Sequence, residues 1–284
     1  MIQAPASAGV SLEAWLAAHE FLAPVARFDE AVTRALDAGP APQPTPEPDW
    51  VAYLSDFHDG VPLLSSVGAG VPATAAVSAL LRPLALRLAS GAGIPEKLRA
   101  DCGLISGRWI ADPSALERTA RFIVTGEKGK PLEQAGLLRY LGWRAASRAL
   151  ERTLAAFADW RAFAGWGRAH CPACGALPMM SWLVPGEGVR ERQHSCGCCG
   201  TSWAAERIGC AYCGNADADK LSILEAEGQG GLRLDLCEAC RGYTKTWAGE
   251  GDPAVLLLDW TSLHLDLIAI GRGYVRKGVS LFEL

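Results

Sequence analysis

The fold of this chain is decided by four short cysteine motifs: CPACG (171–175), CGCCG (196–200), CAYCG (210–214) and CEACR (237–241). Each motif contains one pair of cysteines separated by two residues, a spacing that lets a tight turn aim both sulfur atoms at one metal ion. Between the cysteine pairs, 21 residues separate the first motif from the second and 23 separate the third from the fourth, but only ten separate the second from the third. The spacing therefore predicts two successive four-cysteine sites rather than one interleaved arrangement.

The predicted ligands fall into two sets. Site 1 takes Cys171, Cys174, Cys196 and Cys199, and site 2 takes Cys210, Cys213, Cys237 and Cys240. Four thiolates in a tetrahedron suit either Zn²⁺ or a single iron ion, and the residue types do not distinguish the two metals. Because protein sulfur fills all four positions, neither site leaves a position for water or substrate. We therefore expect two structural metal ions, no catalytic residues and no other cofactor-binding residues.

The two sites also repeat one another along the chain. The third motif follows the first at an offset of 39 residues, and the fourth follows the second at an offset of 41 residues. An internal duplication is the simplest explanation. Gly175, Gly200 and Gly214 come directly after three of the four motifs, where glycine readily adopts the positive φ that such a turn often requires.

A few other residues near the motifs invite a chemical role. Cys198 is a surplus thiol within site 1, either reactive or a small side chain in the turn, and the second interpretation is favoured. His170 and His194 lie one and two residues before a ligand, but four cysteines already complete each site. His264 and Asp266 form an HLD triplet whose spacing does not put both side chains on one helix face, so a packing or capping role is expected.

The distribution of cysteine predicts the domain organisation. The chain has 284 residues, and nine of its ten cysteines lie between Cys171 and Cys240. We predict a multidomain α and β protein with two tandem ribbons between helical parts. The predicted layout is an α-helical domain (1–168), a first four-cysteine ribbon (169–208), a second ribbon (209–250) and a C-terminal helix (251–284) that packs back on the helical domain.

Hydrophobic periodicity locates the elements within these domains. Steps of three and four residues predict helices over 11–38, 67–93, from Asp112 onward and 132–166, and the proline-rich segment 39–49 predicts an extended connector. After residue 170 the pattern predicts short strands over 177–184, 189–194, 201–208, 220–226, 232–236 and 242–247. The tail from Val255 to about Ile270 is predicted to be helical, with Leu263, Leu267 and Ile270 on one side.

Charge and hydropathy narrow the classes of function. The net charge is −4. Residues 171–250 hold seven Lys and Arg against ten Asp and Glu, a local charge of −3 before two metal-bound tetrathiolate groups add more. This argues against a general polyanion binder. The first 24 residues lack a basic region typical of a secretory signal, and the uncharged run 67–81 is shorter than a membrane span, so we expect a cytoplasmic protein without membrane insertion.

The ribbon region resembles a known family, the formate dehydrogenase accessory proteins called FdhE. The resemblance is carried by CPACGALPMMS (171–181), CGCCGTSWAAERIGCAYCG (196–214), LCEACRGYTKTW (236–247) and LHLDLIAIGRGYVR (263–276). It covers residues from about 170 to 276, whereas the first 165 residues match only as a helical domain of suitable length. It implies two rubredoxin-like, or zinc-ribbon, modules that bind zinc or iron through the eight cysteines, after an α-helical N-terminal domain.

The resemblance also implies a function. Family members are not known as enzymes, and such a protein would bind the catalytic subunit of respiratory formate dehydrogenase in the cytoplasm and assist its assembly. Two alternatives remain open from the residues. One is a redox protein in which one ribbon holds iron, and the other, less favoured, is a nucleic-acid-binding zinc ribbon. A small-molecule substrate is not expected.

Overall fold

The computed structural model describes residues 16–17, 19–126, 135–163, 165–186, 189–225, 231–249 and 255–282. The chain forms two compact units. A helical unit is built mainly on Glu20–Ala164, and a ribbon unit is built mainly on Gly165–Pro172 and Ala176–Leu284.

The described part of the helical unit contains seven α-helices: α1 (Ala23–Asp37), α2 (Trp50–Asp59), α3 (Val67–Ser90), α4 (Glu96–Ala111), α5 (Pro113–Thr125), α6 (Ala135–Ala149) and α7 (Glu151–Trp160). Two of them begin at capping aspartates. The Asp49 carboxylate accepts hydrogen bonds from the backbone N–H groups of Val51 and Ala52, and the Asp112 carboxylate accepts one from Ser114. The predicted helix start at Asp112 is thus confirmed.

Helix α3 is the centre of the helical unit. It packs against α1, α4, α5 and α6, and its buried side is rich in alanine and leucine, which allow close approach of the neighbouring helices. The helix continues through Pro72 and Pro83 to a length of 24 residues. It is therefore longer than the uncharged 15-residue run 67–81 identified in the sequence. By length and composition it is the one described helix that could cross a membrane, yet 56% of its most apolar window is buried within the protein.

The structure differs from the predicted helices in two places. Helices α2 and α4 were not predicted, because their buried faces are narrow: α2 buries Tyr53 and Phe57, whereas Val51 and Leu54 are exposed. The long helix predicted over 132–166 is two helices within the described residues. The backbone leaves the helical region at Leu150, with φ −105° and ψ 7°, between α6 and α7.

The ribbon unit is built on one mixed sheet. Its strands are β1 (Met180–Val184), β2 (Glu191–Ser195), β3 (Ser202–Ala205), β4 (Leu221–Glu225), β5 (Leu232–Cys237), β6 (Gly242–Trp247) and β7 (Val275–Arg276). The spatial order is β3-β2-β1-β6-β5-β4, and β7 pairs with β6. Each of the first six strands overlaps a segment that the sequence predicted as β-type, and β2 and β5 each end one residue beyond the predicted segment.

The two four-cysteine halves share this sheet. Within each half the pairing is antiparallel, but β1 and β6 pair in parallel, with Met180 opposite Lys245 and Trp182 opposite Trp247. Both halves repeat the order turn, strand, strand, turn, strand. The strands of the two predicted tandem ribbons are joined into one sheet through the β1–β6 ladder.

The tail packs on this sheet. It consists of α8 (Val255–Thr261), α9 (Leu263–Gly271) and β7, and its buried side chains Leu258, Leu265, Ala269 and Tyr274 share one core with the sheet residues Met180, Leu234, Tyr243 and Trp247. The buried face of the tail is thus used against the sheet, and its packing on the helical domain stays a prediction.

The apolar side of α9 is buried only in part. Leu263 is buried, but Leu267 and Ile270 are 60% and 52% exposed. The inward positions of α9 hold Leu265, Ala269 and the charged Asp266.

Asp266 belongs to a buried cluster of four charges. Lys245 Nζ lies 2.8 Å from Asp266 Oδ2 and 2.9 Å from Asp259 Oδ1, and Arg276 forms ion pairs with both carboxylates. Burial by itself would raise the pKa of Asp259, but the charges of Lys245 and Arg276 outweigh that effect and hold its pKa below the usual range. With two cations and two anions, the cluster is neutral as a whole and ties α8, α9 and β7 to β6.

Replacing Lys245 with methionine tests this cluster. The change leaves two buried carboxylates with one cation, which we expect to lower the free energy of unfolding by about 3–5 kcal/mol. The measurement is urea unfolding of the metal-loaded protein. Lys220→Met is the matched control, because Lys220 is exposed and its pair with Asp217 spans 3.6 Å. Equal midpoints for the two variants would contradict a stabilising role for the cluster.

Candidate metal centres

Site 1 is formed by two turns that flank the hairpin of β1 and β2. The first turn is closed by a hydrogen bond from the Cys171 N–H to Ala176 O (2.8 Å), and the second by one from the Cys196 N–H to Thr201 O (2.9 Å). Gly175 and Gly200 end the turns with φ values of 79° and 76°, in the left-handed region that glycine adopts without strain. The sulfur atoms of Cys171, Cys174, Cys196 and Cys199 lie within 4.8 Å of one another.

Site 2 repeats this construction around β4 and β5. The Cys210 N–H donates to Asn215 O (2.9 Å), and Gly214 ends the turn with a φ of 69°. The sulfur atoms of Cys210, Cys213, Cys237 and Cys240 also lie within 4.8 Å of one another. The structure thus brings the eight predicted ligands together in the two predicted groups.

The fourth turn has no glycine, and Arg241 takes the left-handed position with a φ of 54°. This conformation costs a non-glycine residue about 1–2 kcal/mol. Contacts of the side chain offset that cost: the guanidinium donates to Arg272 O (2.9 Å) and Gly273 O (3.4 Å), pairs with Glu238 and stacks on the Tyr274 ring. The last turn of site 2 is therefore anchored on the tail.

The sulfur positions fit a tetrahedral metal ion. Ligands at about 2.3 Å from a tetrahedral zinc ion are separated by about 3.8 Å. The separation is 3.6 Å between the sulfurs of Cys171 and Cys199, 3.6 Å between those of Cys210 and Cys240, and 3.8 Å between those of Cys213 and Cys237. A disulfide requires about 2.05 Å, so these pairs are not bonded to each other. Both groups could bind a metal ion, and four sulfurs suit zinc and iron alike.

The two sites differ in exposure. In site 1 Cys171, Cys196 and Cys199 are buried and Cys174 is half-buried, whereas in site 2 Cys237 is buried, Cys210 and Cys240 are half-buried and Cys213 is exposed. Site 1 is therefore better shielded from solvent than site 2, which presents Cys213 to it.

The site 2 thiols also differ in acidity. Burial raises the pKa of Cys210 to about 12, and burial raises that of Cys240 as well. A hydrogen bond from the Asn215 backbone N–H to the exposed Cys213 sulfur lowers the pKa of Cys213. A metal ion that enters site 2 must therefore displace thiol protons, because the thiolate is the ligand.

Arg192 is a cation beside site 2 whose role the sequence did not reveal. Its guanidinium is 5% exposed, donates to Gly209 O (3.0 Å) next to Cys210 and pairs with Asp235 Oδ2 (2.9 Å). Because Arg192 lies on β2 and Asp235 on β5, this pair joins the two halves of the sheet. Only the fused sheet brings these residues together, so no local sequence pattern could have indicated the contact.

The remaining candidate residues lie outside both sulfur groups. Cys198 is 4% exposed, which favours the packing interpretation over a reactive thiol. His194 Nδ1 lies 2.9 Å from Ser181 Oγ, and burial lowers the pKa of His194 to about 3, so the imidazole is neutral at pH 7. His170 accepts a hydrogen bond from Trp166 through its backbone oxygen.

The HLD triplet (264–266) has a structural role other than helix capping. Asp266 accepts hydrogen bonds from Tyr243 Oη (2.7 Å) and Lys245 Nζ within the buried charge cluster. Both ring nitrogens of His264 are buried and have no hydrogen-bond partner among the described residues, and burial lowers the pKa of His264. A neutral imidazole is the form that this environment favours.

Fold and site together define a class: a protein with a helical unit and a ribbon unit in which one mixed sheet carries two closed four-sulfur centres. No protein family model matches the chain. Curated relatives do match it. The chain is 31% identical over 115 residues to a protein named Protein FdhE homolog from Haemophilus influenzae, and 31% identical over 124 residues to Protein FdhE from Escherichia coli.

These matches cover 40% and 43% of this chain, and they span only 38% and 40% of the relatives' own length. A solved structure extends the likeness. The crystal structure of the FdhE protein from Pseudomonas aeruginosa is similar in fold with a TM-score of 0.62, covering 92% of this chain and 88% of that one at 22% identity. The chain is thus similar in sequence to FdhE proteins over part of its length and similar in fold to one FdhE structure.

Metal content tests the two sites. We expect about two metal ions per chain, and one after Cys171→Ser with Cys174→Ser or after Cys210→Ser with Cys213→Ser, because two remaining thiolates bind weakly. Elemental analysis of the purified variants measures this. Cys198→Ser and Cys102→Ser are the controls and should keep both ions, since neither thiol belongs to a sulfur group. Loss of metal from a control would show that the ligand sets are wrong.

Because a metal ion must displace thiol protons from site 2, we expect its binding to depend on pH. Zinc affinity should fall as the pH is lowered from about 8 to about 6, by about tenfold per pH unit for each proton displaced. Competition with a chromophoric chelator measures it. The Cys171→Ser, Cys174→Ser variant isolates site 2 for this experiment. An affinity independent of pH would mean that the thiols are already ionised without metal.

Proposed function

We propose that this protein is a non-catalytic accessory factor that binds the catalytic subunit of respiratory formate dehydrogenase in the cytoplasm and assists its assembly. The observation that carries the proposal is the pair of closed four-sulfur sites in a chain that is similar in sequence and fold to FdhE proteins. A site filled by four cysteines has no open position at which a metal could activate water or substrate. Its contribution is to hold a surface in shape.

We also propose that residues 169–208 and 209–250 are two rubredoxin-like ribbons that follow a helical domain (1–168), with 251–284 as the tail. The repeated order of turns and strands supports this layout, as do the sulfur separations near 3.8 Å. Ribbons of about 40 residues are too small for a sufficient core of their own, so metal ions are expected to contribute much of their stability. Zinc and iron both fit, one ion to each site.

A redox function is the second candidate, and the exposure of site 2 favours it. Cys213 reaches solvent, which would give an electron partner close approach to iron held there. The absorption spectrum of anaerobically purified protein decides between the candidates. A colourless preparation that contains only zinc excludes the redox function, whereas a reversible visible band from iron supports it.

The accessory function is tested by affinity capture. The tagged protein should enrich the formate dehydrogenase catalytic subunit from a host that makes it, and deletion should lower formate dehydrogenase activity. Replacing Cys171 and Cys174 by serine should weaken capture, because site 1 loses its metal and the ribbon loses its shape. Cys102→Ser is the control, since this thiol is buried in α4 of the helical unit. No enrichment together with normal activity after deletion would refute the proposal.

A further inference from the structure

The charged and apolar sides of α9 are reversed relative to an ordinary surface helix. Asp266 points into the protein, whereas the aliphatic residues Leu267, Ile268 and Ile270 are exposed. Val275 on the following strand β7 is also exposed, at 58%. Single exposed aliphatic residues are common, but three on one short helix with a fourth beside it form a patch. We call Leu267, Ile268, Ile270 and Val275 the α9 patch.

The helix cannot turn to bury this patch. Asp266 is bound by Lys245 and Tyr243 of β6, and Leu265 and Ala269 belong to the core between the tail and the sheet. Any rotation that moved Leu267 inward would leave the buried Lys245 without one of its carboxylates and expose Leu265. A buried charge without its partner is strongly destabilising. The outward direction of the patch is therefore fixed by the buried charge cluster.

Uncompensated positive charge lies beside the patch. Arg272 follows α9 and Lys277 follows β7, and both are exposed. Among the residues that the structure describes, neither Arg272 nor Lys277 forms an ion pair with a carboxylate. The nearby Glu238 is already engaged by Arg241 and by the Tyr274 hydroxyl. In a chain with a net charge of −4, the surface around the patch is thus locally cationic.

We infer that the α9 patch docks an apolar segment of the client protein that carries carboxylates beside its apolar side chains. The inference rests on the proposed function, because it identifies the surface with which this accessory protein holds its client. Aliphatic side chains in the centre and cations at the rim are the arrangement typical of a protein interface. The cations select an acidic segment and speed its approach, and the apolar residues supply the affinity.

Two other occupants fit less well. A second copy related by two-fold symmetry would place Arg272 and Lys277 against the same cations of its partner, which opposes association. A membrane-surface helix keeps its polar face in the lipid headgroups, but the polar side of α9 is buried inside the protein against β6.

The test uses the full-length, metal-loaded protein and the purified formate dehydrogenase catalytic subunit. Leu267→Glu with Ile270→Glu should weaken binding by about tenfold or more, because it puts acids at the centre of an interface that selects acids. Arg272→Glu with Lys277→Glu should slow association and reduce its dependence on salt. Leu104→Glu with Ile110→Glu is the matched control, since these residues are 65% and 58% exposed on α4. Metal content and circular dichroism verify that each variant is folded.

Each outcome separates the inference from the proposed function. If the wild-type protein does not bind the subunit, the proposed function and this partner both fail. If the wild type binds and the α9 variant binds equally well, the inference alone is overturned. It is likewise overturned if the variant converts a wild-type dimer into a monomer, or abolishes flotation with phosphatidylcholine and phosphatidylglycerol vesicles, because the patch would then serve a second copy or a membrane.

Discussion

The ribbon unit depends on one constraint: four sulfur atoms must meet at about 3.8 Å from one another, twice, between Cys171 and Cys240. Each turn that achieves this needs a left-handed residue, supplied by glycine three times and by Arg241 once. Each hairpin between the turns needs strands of a length that returns the chain to its partner turn. The sheet, its strand lengths and the anchoring of Arg241 on the tail all follow from this requirement.

Buried ion pairs connect the parts of the ribbon unit that lie beyond each metal site. The Arg192 and Asp235 pair joins β2 to β5, and the cluster around Lys245 joins β6 to the tail. Neither contact lies within one four-cysteine half. The metal centres shape each half locally, whereas buried ion pairs decide how the halves and the tail fit together. Buried ion pairs can fix this arrangement, because a buried charge that loses its partner is strongly destabilising.

The ligand sets and the strands could be predicted from the sequence because they obey local rules. Cysteine spacing and glycine positions describe turns of five residues, and alternating patterns describe single strands. The face of α9 could not be predicted in that way. Periodicity places Leu263, Leu267 and Ile270 on one stripe, but Lys245, which lies in a different element, draws Asp266 inward and turns two of those residues outward. The fusion of the ribbons, likewise, depends on pairing between distant strands.

The parallel ladder between β1 and β6 has a consequence for how the chain is made. Met180 and Lys245 face each other across the ladder although they lie 65 positions apart in the chain. During synthesis the first hairpin can fold and bind metal long before its neighbouring strand leaves the ribosome, and until then β1 presents an unpaired edge that could pair with another chain. The edge of β1 is therefore paired only after the second half has been synthesised. A nascent chain that stalls between the two halves exposes an edge strand that could pair with another chain.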